Sequence, residues 1–125
     1  MRPDNGGDNR DAAYVWDMLQ AGEEIEDMLG EYDLAAFLDN RMLVRAIERS
    51  LEIIGEAARR VSDGFRAAHA EIPWRQVIGQ RNILAHEYGQ IDQELLFRTA
   101  SEDIPVLCET LRQIVSDLDP SGHSK

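Results

Sequence analysis

The sequence predicts an all-α protein, a bundle of four to five helices, and three observations carry that reading. Apolar residues recur at alternating steps of three and four along most of the chain. No run of alternating polarity is long enough to supply a sheet. No repeat of roughly 20–50 residues breaks the chain into a solenoid. At 125 residues the chain is one domain with room for one core. Residues 1–10 are expected to be a disordered segment, 11–118 the helical domain, and 119–125 a disordered tail.

The first helix is expected from Asp11 to about Leu29, where Tyr14 or Val15, Met18, Ile25 and Met28 or Leu29 fall at helical spacing. Gly30 is a suitable stop. DLAAFL, residues 33–38, is a short helix or turn. The clearest periodicity spans 40–61, with Leu43, Ile47, Leu51, Ile54, Ala58 and Val61 on one face. Asn40 is its N-cap, and Arg45, Arg49, Glu52, Glu56 and Arg59 fill the opposite face. Ser62 and Asp63 cap a short segment to about Ala70. Pro73 then suits the first turn of a helix whose buried side is Trp74, Val77, Ile78 and Leu84, ending near Tyr88 and Gly89. Asp92 caps a last helix to about Leu118, with Leu95, Leu96, Leu107, Leu111, Ile114 and Leu118 inward and a kink at Pro105.

No apolar run reaches the ~20 residues of a membrane span, and the polar, glycine-rich start lacks the apolar core of a signal peptide. A soluble cytoplasmic protein is expected. Cys108 is the only cysteine, which excludes an intrachain disulfide and a cysteine zinc site. The net charge of −11 argues against a simple nucleic-acid binder. The distribution is uneven. Residues 11–40 hold nine acids and no Lys or Arg, while residues 41–90 hold eight arginines and six acids, a net of +2. The acidic block reads first as a solvated helix face, and second as a surface repelling nucleic acid or attracting a basic partner.

The segment RNILAHEYGQID, 81–92, places Arg81, Asn82, His86 and Tyr88 within eight positions, in a chain with three histidines. On a helix at about 100° per residue, Arg81 and Tyr88 share a stripe, and Asn82 and His86 are an i,i+4 pair. Arg81 and His86 are about 140° apart, so one straight helix does not aim them at one point. They converge only through the long arginine side chain, through unwinding near His86, or across a dimer interface. An imidazole near pKa ~6.5 takes a proton at physiological pH. A guanidinium grips phosphate oxygens bidentately. Together they suit RNA cleavage, the imidazole removing a ribose 2′-hydroxyl proton and the guanidinium stabilising the charged transition state. No metal or cofactor is required, because the nucleophile is in the substrate. The same residues also suit the polar C-terminal end of a structural helix.

The segment resembles the HepT-like ribonuclease toxins of the HEPN superfamily. Their motif, Arg-x4-His-x-Tyr, is matched by Arg81, the spacer 82–85, His86, Glu87 and Tyr88, with polar Asn82 directly after the arginine. LEIIGEAARR (51–60), IPWRQVIGQRN (72–82), YGQID (88–92) and EDIPVL (102–107) resemble the same family in the same order. The resemblance implies an up-and-down HEPN bundle and a homodimer whose motifs face each other across a cleft. It implies metal-independent endoribonuclease activity as the toxin of a toxin–antitoxin pair. Arg81 and His86 would be catalytic, and Asn82 and Tyr88 supporting. The implied partner is a nucleotidyltransferase-fold, MntA-like antitoxin that transfers AMP to Tyr88.

Two other readings stand beside it. One is a catalytically silent HEPN module that binds nucleotide or serves as a nucleotidyltransferase subunit; the other is a plain helical scaffold. Arg41, Arg45, Arg49, Arg59, Arg60 and Arg75 are candidates to line a cleft, each also readable as a solvated helix arginine. Glu87 orients a neighbour or faces solvent. His69 and His123 have no partner at metal spacing and are expected exposed and inert. Trp16 and Trp74 are expected in the core, and Cys108 as a small buried residue.

Overall fold

The computed structural model describes residues 4–79 and 92–118. Among the described residues the regular structure is seven α-helices and one π-helical turn, with no strand, so the all-α expectation holds. They are α1 (Asp4–Leu29), α2 (Leu34–Leu38), α3 (Arg41–Arg60), α4 (Asp63–Ala68), α5 (Trp74–Gly79), α6 (Gln93–Arg98), the π turn (Thr99–Asp103) and α7 (Ile104–Leu118). No helix among the described residues is long and apolar enough to cross a membrane.

The helix starts are set by side-chain caps. Asp33, Asn40, Ser62 and Asp92 accept from the backbone N–H three residues on, at 2.9, 3.0, 3.1 and 3.0 Å, and open α2, α3, α4 and α6. Gly30 closes α1 at φ +47°, a left-handed conformation that favours glycine. The backbone of α1 is already helical at Asp4, ahead of the Asp11 start that the periodicity gives. Propagating a formed helix adds one hydrogen bond per residue fixed, so helix extends past its apolar stripe.

Helix α1 packs on α3 and on α7, and α3 also carries α5. The interior is filled by Val15, Met18 and Ile25 of α1, Ile47, Leu51 and Ile54 of α3, and Ile104, Leu111 and Ile114 of α7, each at most 2 % exposed. Helix α2 inserts Phe37 against Phe97 of α6, ring centroids 5.2 Å apart. Gly22 lies at a close approach of α1 and α7. A Cβ built there would sit 2.6 Å from the Cys108 sulfur.

Several sequence expectations change. Trp16 is 49 % exposed rather than in the core. It adjoins Val15 in sequence but sits about 100° round the helix from it. Leu118, at the last turn of α7, is 43 % exposed. Asp11 is not on a solvated face. It is buried, accepting from the Ser62 N–H at 2.9 Å and the Ser62 hydroxyl at 2.7 Å, and so ties α1 to the α3–α4 corner. His69 is half-buried, stacked on Phe65 at 4.3 Å. Ahead of Pro105 the helix widens into the π turn, where the Ile104 N–H bonds to the Thr99 carbonyl. A wider register relieves the clash between a proline ring and the carbonyl four residues back. Trp74 and Cys108 are buried as expected.

Candidate active site

Arg81, Asn82, His86 and Tyr88, with Glu87 and Leu84, lie outside the described residues, as does His123. Both flanks of the segment are described, and each is firmly held. On the N-terminal side, α5 packs on α3 with Trp74 and Val77 buried. The Trp74 indole N–H donates to the His69 carbonyl at 3.0 Å and its ring meets Phe65 edge-on at 6.4 Å. The carboxyl of Glu71, in the same corner, is held below the usual range by its own backbone N–H and by the His69 ring at 3.4 Å. This aromatic corner sits against the C-terminal end of α3, because the Arg66 guanidinium donates to the Val61 carbonyl at 3.1 Å. On the C-terminal side, Asp92 caps α6, and Phe97 stacks on Phe37 just before α3 begins. The two flanks of the segment are thus anchored near opposite ends of α3.

The arginines divide into two groups. Arg49 pairs with Glu52 at 3.3 Å, Arg59 with Glu56 at 3.0 Å, and Arg60 with Glu56 at 3.6 Å, all within α3. Arg66 pairs with Asp63 at 3.7 Å as well as closing the end of α3. Arg112 bridges from α7 to Glu23 and Glu26 of α1, 3.0 Å from each, and offsets part of the acidic block. Arg41, Arg45 and Arg75 are exposed and form no ion pair among the described residues. The paired arginines of α3 have a glutamate three or four positions away and Arg41 has none, but Arg45 and Arg75 have Glu48 and Glu71 at that spacing and form no ion pair among the described residues, so spacing alone does not sort them.

A groove of about 440 Å³ runs between α1 and α3. Tyr14, Ile53 and Ala57 supply its apolar wall, and Arg49, Arg60, Asp17, Glu52 and Glu56 its charges. Of the six candidate arginines, the structure brings Arg49 and Arg60 to this groove and Arg41 and Arg45 together at the start of α3. Cys108 offers no nucleophile. Burial, with Glu26 nearby, pushes its thiol up to about 12.

These elements define the chain as an all-α helical-bundle domain with a short motif segment between two anchored helices. The family model described as Ribonuclease HepT-like matches residues 18–114, and the chain belongs to this HepT-like family. A protein of Methanocaldococcus jannaschii provisionally named an RNase is 38 % identical over 74 % of this chain and 85 % of its own length. A protein of Thermococcus cleftensis provisionally named ribonuclease HepT is 39 % identical over 75 % of this chain and 86 % of its own. A third, from Caldanaerobacter subterraneus and also provisionally named an RNase, is 32 % identical over 82 % and 91 %. No solved structure matches the chain.

Proposed function

We propose that the protein is an endoribonuclease and the toxin of a toxin–antitoxin pair. The observation that carries this reading is the complete Arg81-x4-His86-x-Tyr88 motif inside the stretch that matches the HepT-like family. His86 takes the proton of a ribose 2′-hydroxyl, and the freed oxygen attacks the adjacent phosphorus. The bond from phosphorus to the 5′-oxygen of the next nucleotide breaks. The products are a 2′,3′-cyclic phosphate and a 5′-hydroxyl, the latter taking up a proton. Arg81 holds the non-bridging oxygens as their charge grows. Asn82 orients the imidazole or a phosphate, and Tyr88 contacts the substrate. The nucleophile belongs to the substrate, so the step needs no metal.

Two chains bring their motifs to one cleft, which resolves the divergence of Arg81 and His86 on a single helix. The partner is a nucleotidyltransferase-fold antitoxin that adds AMP to Tyr88. A bulky anion beside Arg81 and His86 would fill the cleft and repel RNA phosphate. Cleavage of RNA by the purified wild type, set beside His86→Ala and Arg81→Ala with circular dichroism as a folding control, tests the reading. Loss of cleavage in both variants with unchanged helicity is expected. Equal turnover by all three proteins would end it.

A further inference from the structure

The start of α3 presents Arg41, Met42 and Arg45 to solvent around a shallow depression of about 430 Å³. Met42 is 83 % exposed, the most open of the large apolar side chains among the described residues. Arg41 and Arg45 are one helical turn apart, about 6 Å along the axis, the order of the separation of successive phosphates on a single strand. Neither forms an ion pair among the described residues. Arg45 lies within Coulomb range of Glu48, whose carboxyl is raised chiefly by burial. The end of the helix itself is not the feature, because Asn40 already occupies it, accepting from the Leu43 N–H at 3.0 Å.

In a chain of net charge −11, two exposed arginines beside a bare methionine stand out. The methionine is flexible and polarisable, which suits the face of a base. The location adds a second argument. The patch opens the helix that follows α2, and α2 holds α6 through the Phe37–Phe97 contact. Helix α6 is the element by which the chain re-enters the described fold after the motif segment.

We infer that Arg41, Met42 and Arg45 form a backbone-binding track for single-stranded RNA, outside the motif that cuts it. This rests on the ribonuclease reading above and adds to it a place where the strand is held. The arginines grip consecutive phosphates, and Met42 packs against an unstacked base. The track contributes affinity and register, not bond breaking.

The test is salt-dependent binding of a fluorescent, unstructured single-stranded RNA to the full-length chain carrying His86→Ala, so that the probe survives. Arg41→Ala/Arg45→Ala is compared with Arg49→Ala/Arg59→Ala, which changes the net charge equally but removes arginines already held by glutamates. Each phosphate contact on a single strand contributes about 0.7 to the slope of log K against log salt. The first double variant should therefore lose about 1.4 from the slope and bind several-fold more weakly at low salt, while the second keeps the parent slope. Equal slopes for both variants would overturn the track and leave the patch to an acidic polypeptide. In that case cleavage by the wild type would still uphold the ribonuclease reading. Absence of both binding by the parent and cleavage by the wild type would remove the track and the reading together.

Discussion

Replacing Gly22 with alanine probes a close contact between α1 and α7. The new Cβ would lie 2.6 Å from the Cys108 sulfur, with Ile104 Cγ2 at 3.7 Å and Ile54 Cδ1 at 4.0 Å. Ordinary contact is roughly 3.5–4.0 Å, so about 1 Å must be found by moving a helix or turning the buried Cys108 sulfur. Overpacking of this kind costs about 1–3 kcal/mol. Alanine in place of a mid-helix glycine returns up to ~1 kcal/mol. The net expectation is a loss of about 1 kcal/mol, measured by urea unfolding at the helical circular dichroism band. Cys108→Ala alone should cost about 1 kcal/mol for the lost buried group. In the double variant the new methyl occupies the space the sulfur leaves. Its loss should fall short of the sum of the single losses by about 1–2 kcal/mol. A Gly22→Ala protein more stable than wild type, with effects that simply add, would refute the close approach.

Asp11→Ala removes two hydrogen bonds that a buried carboxylate accepts from Ser62 and should cost on the order of 2–3 kcal/mol in the same assay, about what charged hydrogen bonds of this kind contribute. Cys108, with its thiol pushed up to about 12, should resist alkylation near pH 8 in the native protein and react once the chain is unfolded in urea. The sign of the linked pH effect follows. The folded state prefers the neutral thiol, so this contribution is complete below the ordinary thiol value of 9.0 and is lost as pH rises towards about 12. Under the proposed AMP transfer, intact mass of the chain co-produced with a nucleotidyltransferase-fold antitoxin should rise by whole adenylate units, and Tyr88→Phe should abolish the rise. An unchanged mass, or a rise that survives Tyr88→Phe, would remove Tyr88 as the modified group.

Much of the fold was legible because caps and periodicity act locally. Asn40, Ser62 and Asp92 start the helices that the sequence assigns to them, and the stripe from Leu43 to Val61 is buried throughout. What escaped depends on contacts distant in sequence or on angle around a helix. Asp11 finds Ser62 across 51 positions, so nothing near it signals burial. Trp16 has apolar neighbours in the chain, yet its own side chain is half exposed on α1. Pro105 announces an irregularity without saying that it takes the form of a π turn. The motif was legible as a spacing, whereas the division of the arginines into paired and unpaired needed the folded side chains, because Glu48 and Glu71 stand at pairing distance along the sequence from Arg45 and Arg75 without pairing with them. Arg41 could have been singled out by its lack of an acid three or four residues away.

The proposed attack by a substrate's own 2′-hydroxyl, driven by Arg81 and His86, is tested most directly by an RNA carrying one 2′-deoxy substitution at the cleaved nucleotide, assayed beside the unmodified strand, with the end groups identified by mass spectrometry. A cyclic phosphate from the unmodified strand, no cut at the deoxy position, and no product from His86→Ala with either strand are expected. A cut at the deoxy position, or undiminished cleavage by His86→Ala, would contradict it.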